Sequence, residues 1–189
     1  PFIIRELSQN LHSRLLDDKA ISFDIARSVE RSRGMQDSQF IWMDGKVIPY
    51  ADAQIHVLSH SLHYGGGVFE GMRAYQTADN KTCLFRAEEH IQRFLDSMRT
   101  LGYPCRFSRS EIIAACKEMV KANQFTECYV RPIAYINDTV RGLKLPAQPE
   151  VHVAIATWNW GKYLGGEGQK NGVRIKVSTF RRQEPGTAF

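Results

Sequence analysis

Two periods organise the apolar positions of this chain. In RAEEHIQRFLDSMRTLG, Ile91, Leu95, Met98 and Leu101 recur at helical spacing, and Gly102 is a residue at which helices readily stop. Ser108 and Glu111 have the S-x-x-E spacing of a capping box, which predicts a second helix from about Arg109 to Ala122 with Ile112, Ile113, Cys116, Met119 and Val120 inward. Elsewhere the period is two. ECYVRPIAYI puts Tyr129, Arg131, Ile133 and Tyr135 on one face, while Pro132, lacking an amide hydrogen, argues against a regular, fully paired ladder. Val151 to Trp158, rich in β-branched residues, reads as a buried strand, Thr82 to Phe85 as a short one and Val173 to Phe180 as the last. Asp44-Gly45 between IWM and KVI is the pair a type I′ hairpin favours, because both central residues need positive φ. Before Ser38, Ile4, Leu7, Leu11 and Leu15, then Ile21, Ile25 and Val29 after the acidic break at Asp17 and Asp18, predict two short amphipathic helices.

The densest stretch is HYGGGVFEGMRAY, His63 to Tyr75. Read as one strand, it puts Phe69, Gly71, Arg73 and Tyr75 on one face and Val68, Glu70, Met72 and Ala74 on the other. The first face is an aromatic wall, a gap, a cation and a second aromatic. Such a face is either ordinary core, with its glycines marking bulges, or a surface shaped for a ligand. The Tyr129 and Arg131 pair raises the same choice: buried, they need polar partners, either each other or a substrate carboxylate.

Composition narrows the classes. With 189 residues and 43% hydrophobic content the chain holds a real core, as one large domain or two small ones. Its net charge of +5 would admit a nucleic-acid partner, but Lys and Arg are interspersed with acids and never form a long run, so none is expected. Cys83, Cys105, Cys116 and Cys128 show neither a C-x-x-C pair nor zinc-finger spacing and read as reduced, buried thiols. His60 and His63 would share a helical face as metal ligands, but a third ligand at useful spacing is missing, so a structural role is expected and no metal. No apolar run reaches membrane-spanning length, and a reducing cytoplasm fits these features. The acids Glu6, Asp17, Asp18, Asp24 and Glu30 speak against a transit peptide in residues 1–38, which are read as an extension of unknown role.

HYGGGVFEGMRAY closely resembles the segment that class IV pyridoxal phosphate (PLP) aminotransferases of the branched-chain amino acid type carry in their small domain. The resemblance continues in order through FRAEEHIQRF, ECYVRPIAY, TWNWGKYLG and RIKVSTFRR. It implies an α/β chain of the α+β type with PLP fold type IV: a small α/β domain over residues 39–145, then an interdomain loop and the first strands of a larger β-rich domain over 146–189. It implies PLP as cofactor, with Arg93 holding the phosphate; on spacing alone, Arg93 would instead form a surface ion pair with Glu89. Phe69, Arg73, Tyr129, Trp160 and Tyr163 would line the substrate pocket, while Tyr64 and Leu143 would reach into a neighbouring subunit's site, making a homodimer or higher oligomer part of the chemistry. The Schiff-base lysine of the family is expected beyond Phe189, so no catalytic residue is expected within the chain as given, which would then be inactive by itself.

The implied reaction moves the amino group of leucine, isoleucine or valine to 2-oxoglutarate. The rivals are other class IV enzymes, namely D-amino-acid or amine transaminases and aminodeoxychorismate lyases, or a non-catalytic fragment acting as a binding module.

Overall fold

The computed structural model describes residues 38–137, 142–145, 147–160, 168 and 170–181. The expected helices before Ser38 lie outside them. Strands β1 (Phe40–Met43) and β2 (Lys46–Pro49) form the expected hairpin, with Asp44 and Gly45 both at positive φ. Then come a short helix α1 (His60–Tyr64), strands β3 (Val68–Phe69), β4 (Met72–Gln76) and β5 (Thr82–Leu84), helices α2 (Ala87–Thr100) and α3 (Arg109–Ala122), and the long strands β6 (Cys128–Ile136) and β7 (Val151–Trp158). The strands make one antiparallel sheet in the order β2-β1-β7-β6-β4-β5, with β3 also paired to β6.

Both long helices lie against one face of this sheet. Met72, Ala74, Val130, Ala134, Ile136, Val153 and Ile155 point into the core from the strands and meet Ile91, Phe94 and Met98 of α2 and Ile112, Cys116, Met119 and Val120 of α3. Each such side chain contributes about 1.5–3 kcal/mol by leaving water. The capping box starts α3 as its sequence requires, Ser108 and Glu111 each bonding the other's backbone N–H. The stripe of α2 is rotated from the expected one: Phe94 is fully buried, Leu95 only partly, and Leu101 is exposed past the helix end. Residues 91, 94 and 98 follow the true helical pitch, from which a stripe extended to Leu101 drifts away.

The opposite face of the sheet is less covered and bears Tyr129, Arg131 and Ile133 of β6 with Trp158 of β7. This parity was legible in the sequence. Pro132 does not interrupt the β6–β7 ladder, which pairs from Tyr129 with Trp158 to Ile136 with Val151. Its carbonyl accepts the Glu70 N–H at 3.0 Å, so its nitrogen faces the gap between β3 and β4, where no ladder bond is lost.

Two further expectations are corrected. His63 to Tyr75 is not one strand: His63 and Tyr64 end α1, the glycines turn the chain, and β3 and β4 are separated at Glu70 and Gly71. Strand β7 lies between β1 and β6 inside the same sheet, in the same compact unit. Residues 173–180 form no ladder among the described residues, and Ile175, Val177 and Phe180 are exposed. Of the cysteines, Cys116 and Cys128 are buried, Cys105 is intermediate and Cys83 is exposed on the edge strand β5. No described helix is long and apolar enough to cross a membrane.

Candidate active site

The break between β3 and β4 divides the expected site residues between the two faces of the sheet. Phe69, which pairs with Ile133, turns its ring to the open face. There the guanidinium of Arg131 lies 4.5 Å from the Phe69 centroid, 5.1 Å from Tyr129 and 5.7 Å from Trp158, and Nη2 donates to Tyr129 Oη at 3.0 Å. Its buried Nε has no acceptor among the described residues. Three ring faces hold this cation by their quadrupoles. Trp160 meets Tyr129 edge-on at 4.6 Å and Trp158 at 5.7 Å, extending the aromatic surface. Gly71 makes the arrangement possible, because a Cβ there would stand 1.7 Å from Tyr129 Oη. Arg73, opposite Tyr129 in the β4–β6 register, lies over the Tyr75 ring at 5.7 Å.

Glu70 turns the other way. Its side chain is 5% exposed, and it is the buried carboxylate among the described residues. Arg93 of α2 grips it by two nitrogens, Nε to Oε1 and Nη2 to Oε2 at 2.8 Å, His90 Nδ1 stands 3.0 Å from Oε2, and the Gly71 N–H donates at 3.3 Å. Burial pushes the Glu70 carboxyl up, but the bonds from Arg93, His90 and Gly71 outweigh it and hold the group below the ordinary glutamate range. Arg93 therefore does not pair with Glu89, which bonds Arg86 instead.

A third group gathers at α1. The Tyr64 hydroxyl accepts the Gly142 N–H at 3.3 Å, which brings Tyr64 to the loop where Leu143 is 81% exposed. His60 is buried behind Tyr64, ring centroids 4.8 Å apart, whereas His63 Nε2 lies 3.0 Å from the Val57 carbonyl, so the two histidines do not converge on a common ligand. Tyr163 lies outside the described residues. The structure thus joins Phe69 and Tyr129 at Arg131, with Trp160 against Tyr129, joins Tyr64 to the Leu143 loop, and sets Arg93 apart on Glu70.

The family model for amino-transferase class IV matches residues 67–188, a span that contains β3 to β7 and both arginine clusters. The chain belongs to the class IV aminotransferases. It is 37% identical over 150 residues to the branched-chain-amino-acid aminotransferase of Escherichia coli strain K12, covering 79% of this chain and 48% of that protein. The crystal structure of the Escherichia coli branched-chain amino acid aminotransferase superposes with a TM-score of 0.77 at 37% identity, over 80% of this chain and 49% of that one. A branched-chain amino acid aminotransferase from T.th., solved in complex with N-(5'-phosphopyridoxyl)-L-glutamate, gives a TM-score of 0.62 at 39% identity, over 66% of this chain and 41% of that one. The chain spans about half the length of the curated relatives it matches.

Two features of the class IV fold in this chain escaped the sequence reading. The sequence puts Glu70 on a strand face only, although its parity opposite Phe69 signals that it points to the helices. Alternation puts Arg131 beside Tyr129, but the convergence of rings from β3, β6 and β7 on its guanidinium depends on strand order, which spacing does not encode.

Proposed function

We propose that this chain is the N-terminal part of a PLP-dependent branched-chain amino acid aminotransferase that exchanges the amino group of leucine, isoleucine or valine with 2-oxoglutarate. The observation that carries the reading is the aromatic surface of Phe69, Tyr129 and Trp158 around one cation, Arg131, extended by Trp160. Ring faces suit a branched aliphatic side chain, which gains roughly 1.5–3 kcal/mol on leaving water. The cation serves the other donor, glutamate, whose carboxylate cannot enter an apolar pocket without a counter-charge. Arg73 completes that pocket, and Tyr64 with Leu143 serve the site of a second copy in a homodimer. The similarity in sequence and fold to branched-chain aminotransferases supports the substrate class.

The donor set of Arg93 suits the cofactor phosphate. Glu70 engages Nε and one edge of Nη2, leaving Nη1 without a partner among the described residues on a side chain that is 67% exposed. A guanidinium fixed at one edge offers the other as a planar fork to an oxyanion. Bound PLP supplies the electron sink for amino-group transfer; Arg93 anchors its phosphate, and the aromatic surface excludes water from the substrate. The amine that carries the cofactor is expected beyond residue 189. We place the domain boundary after β7, near Asn159 and Trp160, and the protein in the cytoplasm, where its free cysteines stay reduced.

The test is a panel of amino donors with the full-length protein, following product 2-oxo acids. Leucine, isoleucine and valine should react with 2-oxoglutarate faster than D-alanine or simple primary amines. A preference for either of those, or elimination from aminodeoxychorismate, would replace this reading with a rival class IV activity.

A further inference from the structure

Tyr103 follows the end of α2 and is buried, yet its hydroxyl donates to the carbonyl of Gly66, in the glycine turn between α1 and β3. Two features make this contact specific. Gly102 at φ +70 ends the helix, and the Tyr103 N–H returns to Met98 O at 2.9 Å, so the ring is fixed at its own backbone. On the other side, Gly65 and Gly66 have φ +74 and +80, and a Cβ on Gly66 would stand 2.6 Å from the Tyr103 hydroxyl oxygen. The turn is thus shaped twice for glycine, by its dihedrals and by the tyrosine lying on it. At its two ends stand Tyr64, which meets the Leu143 loop, and Phe69, which lies under Arg131.

We infer that Tyr103 is a positioning residue: through the Gly66 carbonyl it fixes the turn that sets Tyr64 and Phe69, and so the shape of the aliphatic side-chain pocket. The inference rests on the reading of those two residues as pocket residues. Tyr103 touches neither substrate nor cofactor, and it acts by removing freedom from the backbone between two aromatics whose placement must be held to a fraction of an ångström. Without the hydroxyl, the turn keeps its glycines and loses this side-chain tie.

The experiment compares Tyr103→Phe, which keeps the ring and removes only the hydroxyl, with Gly66→Ala, which strains the same contact from the other side, both in the full-length protein loaded with PLP. Amide hydrogen exchange over residues 64–70 should accelerate by several-fold to about tenfold in both variants, the loss of roughly one hydrogen bond. KM for leucine should rise by a similar factor, with kcat for leucine and cofactor occupancy near those of the parent. Adding Gly66→Ala to Tyr103→Phe should cost less than Gly66→Ala alone in the parent, because the oxygen it would strike is gone. Unchanged exchange at the turn, or a lower melting temperature with an unchanged KM, overturns the proposal. If exchange accelerates but the parent does not use branched-chain donors at all, Tyr103 still positions the turn, and the substrate reading is what fails.

Discussion

Arg93 holds Glu70 by two parallel contacts, Nε to Oε1 and Nη2 to Oε2, across the step from α2 to the break between β3 and β4. The same guanidinium is the proposed phosphate anchor, so one residue joins a structural and a cofactor contact. Replacing Arg93 with Ala in the full-length protein should release PLP on dialysis and lower the melting temperature, since Glu70 stays buried with only His90 and the Gly71 amide. Arg93→Lys should retain less cofactor than the parent, because an ammonium cannot serve two oxyanions at a planar fork. A variant that melts earlier but keeps its cofactor would make Arg93 structural only.

Glu70 gives a pH dependence of defined sign. Burial raises its pKa, but the contacts to Arg93, His90 and Gly71 dominate and the net shift is downward from 4.5. A group with a depressed folded pKa contributes stability above its unfolded value, and that contribution is lost as pH falls through the folded pKa. The parent should therefore lose stability as pH falls below 4.5 by more than Glu70→Gln does. Urea midpoints measured across that range would decide it, and parallel profiles for the two proteins would show that Glu70 contributes no pH dependence.

How much of this was legible in the sequence follows the range of the interactions. The capping box of Ser108 and Glu111, the Asp44-Gly45 turn and the alternating face of β6 are local, and each stands as read. The errors lie where a distant partner decides. Alternation through Phe69, Gly71 and Arg73 concealed the break at Glu70, which is drawn to Arg93 from another element. Val151 to Trp158 reads as a strand and is one, but nothing in VHVAIATW specifies its insertion between β1 and β6. Buried Asn123 is similar: it accepts the N–H groups of Gln39 and Phe40 at 2.8 and 2.9 Å and donates to Thr157 Oγ1 at 2.9 Å, tying the end of α3 to β1 and β7, yet it carries no local signal.

Gly71 tests the packing of the aromatic cluster. A methyl group there would stand 1.7 Å from Tyr129 Oη and 2.6 Å from its Cζ, so the ring must leave its place between Trp158 and Trp160. Gly71→Ala should destabilise the fold by about 3 kcal/mol, the upper end of the usual cost of overpacking, and should weaken leucine binding. Combining it with Tyr129→Phe should recover part of the loss and no more, since the ring carbon still collides. Full recovery would mean that the hydroxyl alone sets the spacing, and no recovery would mean that the β3–β4 break itself is the strained element.

The two arginines near Tyr129 make the most discriminating pair. Sequence parity puts Arg73 on the face of Phe69, beside the gap at Gly71, and nominates it as the counter-charge for glutamate. In the fold it is Arg131 that lies among Phe69, Tyr129 and Trp158, with Nη2 on the tyrosine hydroxyl and a buried Nε that has no acceptor among the described residues. A cation held by rings keeps most of its hydrogen-bonding capacity for an incoming carboxylate, because quadrupoles do not occupy its N–H donors. Removing the charge should cost the glutamate half-reaction roughly 10- to 100-fold, the worth of a charged hydrogen bond, while an aliphatic side chain still finds the rings. Arg131→Met and Arg73→Met in the full-length protein, each followed by single-turnover rates with glutamate and with leucine, separate the candidates. The expected outcome is a glutamate-selective loss in Arg131→Met and a smaller, less selective loss in Arg73→Met. A selective loss in Arg73→Met alone would return the role to Arg73, and equal losses for both donors in both variants would show that the two arginines only brace the tyrosines.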